Sequence, residues 1–156
     1  VTFEVCYKFN PNIALFKPAS GATVDVFRLL VNSDRVKEFI LVGYGAGNID
    51  RMYYDSIKRA ISLGKPVVIV SECLKGGAEQ FYEVGAEPIQ MGAVSGLDMT
   101  EAAALQKLMY ALGKVKDMQA HQKAVYTPDE LRREVQIIMH TPYAREFDDY
   151  YLHGPN

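Results

Sequence analysis

An α/β fold, a layered parallel β-sheet with helices on both faces, is what this sequence predicts, and three observations predict it. Glu38 to Val42 (EFILV) and Val67 to Val70 (VVIV) are short apolar runs rich in β-forming residues, without the alternation of a half-exposed strand. Segments with apolar residues at helical spacing stand between and after them. The resulting order of strand, helix, strand, helix, strand needs parallel pairing, right-handed crossovers and helices over both faces of the sheet.

The first strand is expected at Ile13 to Lys17 (IALFK), stopped by Pro18, which cannot donate to a ladder. Thr23 is the expected cap of a short helix in which Val26, Phe27 and Leu30 face inward, ending at Asn32-Ser33-Asp34. After the EFILV strand comes a glycine-rich hexapeptide. Asp50 then caps a helix whose apolar stripe is Tyr53, Ile57, Ala60 and Ile61, and Gly64 supplies a left-handed stop before Lys65-Pro66 and the VVIV strand.

Ser71 to Leu97 is broken by glycines and Pro88 and reads as a long irregular stretch, with room for a short strand at Gln90 to Val94. Asp98 with Glu101 resembles a capping box for a helix from Met99 to Leu112, lined by Leu105, Leu108, Met109 and Leu112 and ended by Gly113. Thr127, Pro128 and Glu130 give a strong start to a last helix that reaches about His140, with Leu131, Val135, Ile138 and Met139 apolar. The tail from Thr141 onward mixes acidic and aromatic residues without a period. It is either disordered or pinned to a neighbouring surface; such a tail is usually a solvated end, and Phe147, Tyr150 and Tyr151, wasteful if fully exposed, make an intersubunit contact the second reading.

The 156 residues, 49% hydrophobic and 23% charged, suit one domain that buries roughly 70% of its unfolded surface without disulfides or metal. With 17 basic against 19 acidic residues and no basic cluster, the sequence carries no nucleic-acid footprint. No apolar run approaches the ~20 residues of a membrane span, and the opening residues do not show a charged n-region followed by an apolar h-region. Cys6 and Cys73 lie outside any CxxC spacing, which suits reduced thiols and a cytoplasmic setting. The opening at Val1 suggests an excised piece of a longer protein.

Gly43-Tyr44-Gly45-Ala46-Gly47-Asn48 joins a strand to a helix at the carboxyl edge of the sheet, where open α/β folds bind ligands. Two interpretations stand. Glycines there let backbone N–H groups approach an anion, as in nucleotide sites, with Glu72 a crude match for a ribose-binding acid; alternatively the segment is simply a tight turn. Asn48 stands where the dinucleotide fingerprint needs its last glycine. Cys73 falls at the same edge, yet His121, His140 and His153 offer it no spaced base, so a buried, inert thiol is expected. The histidines also lack the i, i+4 spacing of a metal pair, so neither metal nor cofactor is expected.

In this order the motifs resemble the C-terminal domain of the L-asparaginase family, its cytoplasmic type I branch above all. The likeness runs from about Ile13 to Lys114: the G-x-G-x-G-N turn, a VV-type strand into S-x-C (Ser71, Glu72, Cys73), then Gly96-Leu97-Asp98-Met99-Thr100 and the EAA-L-KLMY-LG helix. The resemblance implies hydrolysis of L-asparagine to L-aspartate and ammonia by an activated threonine. In the family that threonine and its partners lie in an N-terminal catalytic domain, in T-G-G-T and T-D motifs, and this sequence contains neither motif. No catalytic residue is therefore carried over, and the isolated chain is expected to be inactive.

The family's turn asparagine holds the substrate's amino group in a partner subunit's site. Asn48 matches it, with Gly47 beside it, and the resemblance implies a dimer or tetramer. Cys73 matches the cysteine of an allosteric asparagine site in some type I members, although Val42 and Glu72 replace the arginine and glutamine found there. The amidotransferase subunit that releases ammonia for tRNA-dependent glutamine synthesis shares the fold. It stands as one alternative, and a non-enzymatic small-ligand or dinucleotide-binding module as another.

Overall fold

The computed structural model of the chain describes residues 8–19, 23–45, 47–73 and 86–147. Four strands, β1 (Ile13–Phe16), β2 (Glu38–Gly43), β3 (Val67–Ser71) and β4 (Val94–Ser95), form one all-parallel sheet in the order β1-β2-β3-β4. Every residue of β2 and β3 is buried, which explains why these two runs are continuously apolar.

Alternation along the strands feeds two cores. Phe39, Leu41, Val67 and Ile69 point to the face covered by α1 (Val24–Asn32) and α2 (Tyr54–Ser62). Ile40, Val42, Val68 and Val70 point to the opposite face, covered by α4 (Glu101–Gln122) and α5 (Pro128–Met139). The expected layered α/β sheet with helices on both faces is what forms. Glu38 is the exception inside β2: it is fully buried, its carboxyl oxygens make no hydrogen bond among the described residues, and burial pushes its pKa well up.

Local signals placed most boundaries. Asp50 accepts from the Met52 N–H at 3.0 Å and opens a 3₁₀ turn (Arg51–Tyr53) that leads into α2, and Gly64 takes a positive φ of 71° just beyond it. Thr127 and Glu130 form the full reciprocal capping box of α5.

Four expectations need correction. Val26 is exposed; the inward face of α1 is Phe27 and Val31, with Leu30 partly buried. Gln90 ends a short helix, α3 (Ala86–Gln90), in which Pro88 sits in the first turn where no N–H is required, so the following strand shrinks to two residues. Thr100, not Asp98, caps α4, accepting from Ala103 N–H at 3.2 Å. Gly113 does not end that helix, which continues to Gln122 and stops at Lys123 in the left-handed conformation. A Cβ on Gly113 would lie 1.9 Å from the Lys8 carbonyl oxygen, so this glycine serves a chain crossing and not a stop.

The tail is pinned as far as it is described. Phe147 is 6% exposed within the α4–α5 core, and Lys107 on α4 pairs with Glu146 at 2.5 Å. Tyr150 and Tyr151, like Cys6, lie outside the described residues.

Candidate functional site

The site is assembled where β1, β2 and β3 end together. Gly43 closes β2 in register with Ser71, the last residue of β3, and the chain then turns back on itself. Tyr44 and Asn48 form an antiparallel bridge: Tyr44 N–H donates to the Asn48 carbonyl at 2.9 Å, and the N–H groups of Gly47 and Asn48 both donate to the Tyr44 carbonyl, at 2.9 and 2.8 Å. The fold-back fixes the glycines. A Cβ on Gly43 would lie 2.2 Å from the Gly47 carbonyl carbon, while Gly45 and Gly47 adopt φ of 52° and 98°.

Strand β3 clamps this turn from the side. Glu72 N–H donates to the Gly43 carbonyl at 3.0 Å, and the Glu72 carboxylate accepts from Gly45 N–H at 3.0 Å and pairs with Lys17, just past β1, at 3.2 Å. Ser71 Oγ donates to the Gly45 carbonyl and accepts from Cys73 N–H at 2.9 Å. The Gly45 N–H foremost, and then Lys17, hold the Glu72 carboxyl below the usual range. Three strand ends thus converge on one loop, and Asn48 is presented from it exposed to solvent while Gly47 beside it is buried.

This geometry decides between the two interpretations of the turn. Every described N–H of the loop is already spent, on Tyr44, Asn48 or the Glu72 carboxylate, so none of these is left for a phosphate, and Glu72 is itself engaged. The dinucleotide interpretation loses its mechanism. What remains is a rigid turn that projects one amide side chain, a group able both to accept from an ammonium and to donate to a carboxylate.

Cys73 lies at this edge as expected but is exposed, contrary to the expectation of a buried thiol. The reason is the length of β3, which stops at Ser71 and carries the chain out of the core two residues later. The histidines are placed elsewhere: His140 Nε2 donates to the Ser95 carbonyl at 2.8 Å, and His121 bonds the Asp117 carbonyl within α4. Among the described residues no three His, Cys, Asp or Glu side chains are grouped to hold a metal ion, and no helix is long and apolar enough to cross a membrane. Lys17 and the bracing role of Glu72 are not visible in the sequence, because nothing in residue spacing says which side chain folds onto which loop.

A four-stranded parallel sheet with helices on both faces and a braced, asparagine-bearing turn at its carboxyl edge defines the class, an α/β domain of the layered type. Residues 12–125 match the family model of the glutaminase/asparaginase C-terminal domain, and the chain belongs to that family. It is 31% identical over 121 residues to a glutamyl-tRNA(Gln) amidotransferase subunit of Methanosarcina mazei, covering 74% of this chain and 28% of that protein. It is equally 31% identical, over 119 residues, to an L-asparaginase of Thermococcus kodakarensis, covering 74% and 36%.

Among solved structures, the thermostable L-asparaginase from Thermococcus kodakarensis superposes with a TM-score of 0.70 at 30% identity, over 90% of this chain and 39% of that one. L-asparaginase I from Vibrio cholerae superposes with a TM-score of 0.65 at 27% identity, over 88% and 38%. The chain therefore spans less than two fifths of the length of each of these proteins.

Proposed function

We propose that the chain is the substrate-completing and oligomer-forming domain of an L-asparaginase, one that hydrolyses L-asparagine to L-aspartate and ammonia in the cytoplasm. The observation that carries this is Asn48, solvent-facing on a turn whose every described amide is tied down. In this reading Asn48 reaches the α-amino group of substrate held in a partner subunit of a dimer or tetramer. The threonine nucleophile belongs to an N-terminal catalytic domain, since the T-G-G-T and T-D motifs do not occur here. A fixed turn suits that task, because a side chain that must meet a ligand across an interface gains affinity from not having to be ordered on binding.

Asn48→Ala in the full-length enzyme should lower kcat/KM for asparagine by about 10- to 100-fold, the worth of a hydrogen bond to a charged group. Unchanged kinetics would remove Asn48 from the site.

A second reading is favoured by the relatives named as amidotransferase subunits, which match as well as the asparaginase does. In it the same domain completes an amide-hydrolysing subunit that supplies ammonia for tRNA-dependent glutamine synthesis. Free asparagine hydrolysis that proceeds at full rate without tRNA selects the first reading; hydrolysis that requires tRNA and a second subunit selects the other.

A further inference from the structure

At the opposite, amino-terminal edge of the sheet lies a cavity of about 530 Å³, within the range of small-ligand pockets. The α1–β2 loop, the α2–β3 turn, α4 and α5 enclose it. Four cations line it, Lys37, Arg59, Lys65 and Lys116, against one carboxylate, Asp34, a surplus of three positive charges in a chain whose net charge is -2. We infer that this cleft is a binding site for a small polyanion, a compact molecule with two or more negative charges such as a phosphate ester or a polycarboxylate.

None of the four cations takes part in the ion pairs formed among the described residues, which engage Lys8, Lys17, Arg28, Arg51 and Lys107 instead. Lys65 is built in and not merely nearby. It is 9% exposed, and its Nζ donates to the Val31 carbonyl at 2.6 Å and the Ser33 carbonyl at 2.8 Å, which leaves a third proton uncommitted on a group that lines the cleft. Burial first, and then the charge of Lys37, draw the Lys65 pKa down against a smaller opposing effect of Asp34. Lys37 and Lys65 thus repel each other where Asp34 offsets only part of the positive charge, and an anion bound in the cleft relieves that repulsion while meeting cations from three separate segments. Leu112, Val115 and Leu131 give the cleft an apolar wall. A compact organic anion fits such a mixed lining better than an extended polymer does.

The test is calorimetric titration of Val1–Asn156 at low ionic strength with pyrophosphate, with citrate, and with acetate as a singly charged control. Saturable one-to-one binding of pyrophosphate or citrate but not acetate is expected, and which of the two binds tighter separates a phosphate ligand from a carboxylate one. Affinity should fall about tenfold in a Lys37→Gln/Arg59→Gln/Lys116→Gln variant, whose side chains are exposed and form no ion pair among the described residues. Lys116→Gln alone should lower it about two- to fivefold, and about 0.15 M salt should weaken it further. Lys58→Gln, exposed on α2 outside the cleft, should change nothing. No saturable heat up to about 10 mM of either polyanion, or an equal loss in Lys58→Gln, would overturn the inference, the latter by showing a diffuse charge effect.

Discussion

Glu72 is the residue on which the geometry of the turn depends. Its carboxylate sits where a bound anion would sit in a nucleotide-binding loop, with Gly45 N–H and Lys17 as its partners. Because those partners favour the ionised form, its contribution is present above the ordinary carboxylate range and is lost as pH falls through its lowered folded value. Glu72→Ala should therefore speed hydrogen exchange at the Gly45 amide, whereas Glu72→Gln, which still offers an oxygen, should keep most of the protection. Acidification should release Gly45 in the wild type and leave the Glu72→Gln protein flat. If Gly45 exchanges equally fast in all three proteins, Glu72 does not brace the loop. Under the proposed asparaginase function, the Ala variant of the full-length protein should lose kcat/KM in parallel with Asn48→Ala. A loss for Asn48→Ala alone would leave the substrate reading standing and remove only Glu72. The sequence displayed Asn48 and the glycines, because a turn needs particular residue types at fixed positions. It hid Glu72's role and the exposure of Cys73, because both depend on where β3 stops relative to its neighbour.

At the scale of elements, Gly113 separates local propensity from packing. In an isolated helix, replacing glycine with alanine stabilises by roughly 1 kcal/mol. Here the added methyl would meet the Lys8 carbonyl oxygen at 1.9 Å, a backbone atom that cannot rotate away. Gly113→Ala should destabilise by about 1–3 kcal/mol, read as a lower urea midpoint with an unchanged slope. A gain in stability would show that the segment before β1 does not press on α4. The same contrast explains what was legible. β2, β3, the Asp50 turn and the capping box of α5 carry their signals within a few residues. Gly113 misleads as a stop because the Lys8 crossing that requires it lies far off in the sequence, and the Gln90 to Val94 strand is cut short because Ala86–Gln90 folds as a helix.

Across the whole molecule, the segment after α5 is tied to α4 by one buried ionic cluster, and that tie completes the second core. Lys107 and Glu146 pair at 2.5 Å with side chains only 4% and 13% exposed, Lys107 also donates to the Thr141 carbonyl at 2.6 Å, and its ammonium lies 4.5 Å from the Phe147 ring centroid. Burial alone would raise the Glu146 carboxyl. The hydrogen bonds from Lys107 and from the backbone N–H groups of Glu146 and Ala144 outweigh it and hold the group below the usual range. Burial draws the Lys107 pKa down against the pull of Glu146, so the pH dependence rests on the carboxylate: its stabilisation is lost as pH falls through that lowered value. Glu146→Leu alone strands the Lys107 charge in the core and should cost about 3 kcal/mol, whereas Lys107→Met with Glu146→Leu replaces both charges by apolar side chains of similar size and should come close to the wild type. Acid should loosen the wild type and not the double variant, followed by the solvent accessibility of Phe147. If the single variant melts like the wild type, the tail is not held through this pair. Equal acid sensitivity in the double variant would place the acid-labile contact elsewhere, with Glu130 of the α5 capping box the next carboxylate to test, since the Thr127 N–H and hydroxyl hold its pKa down in the same manner.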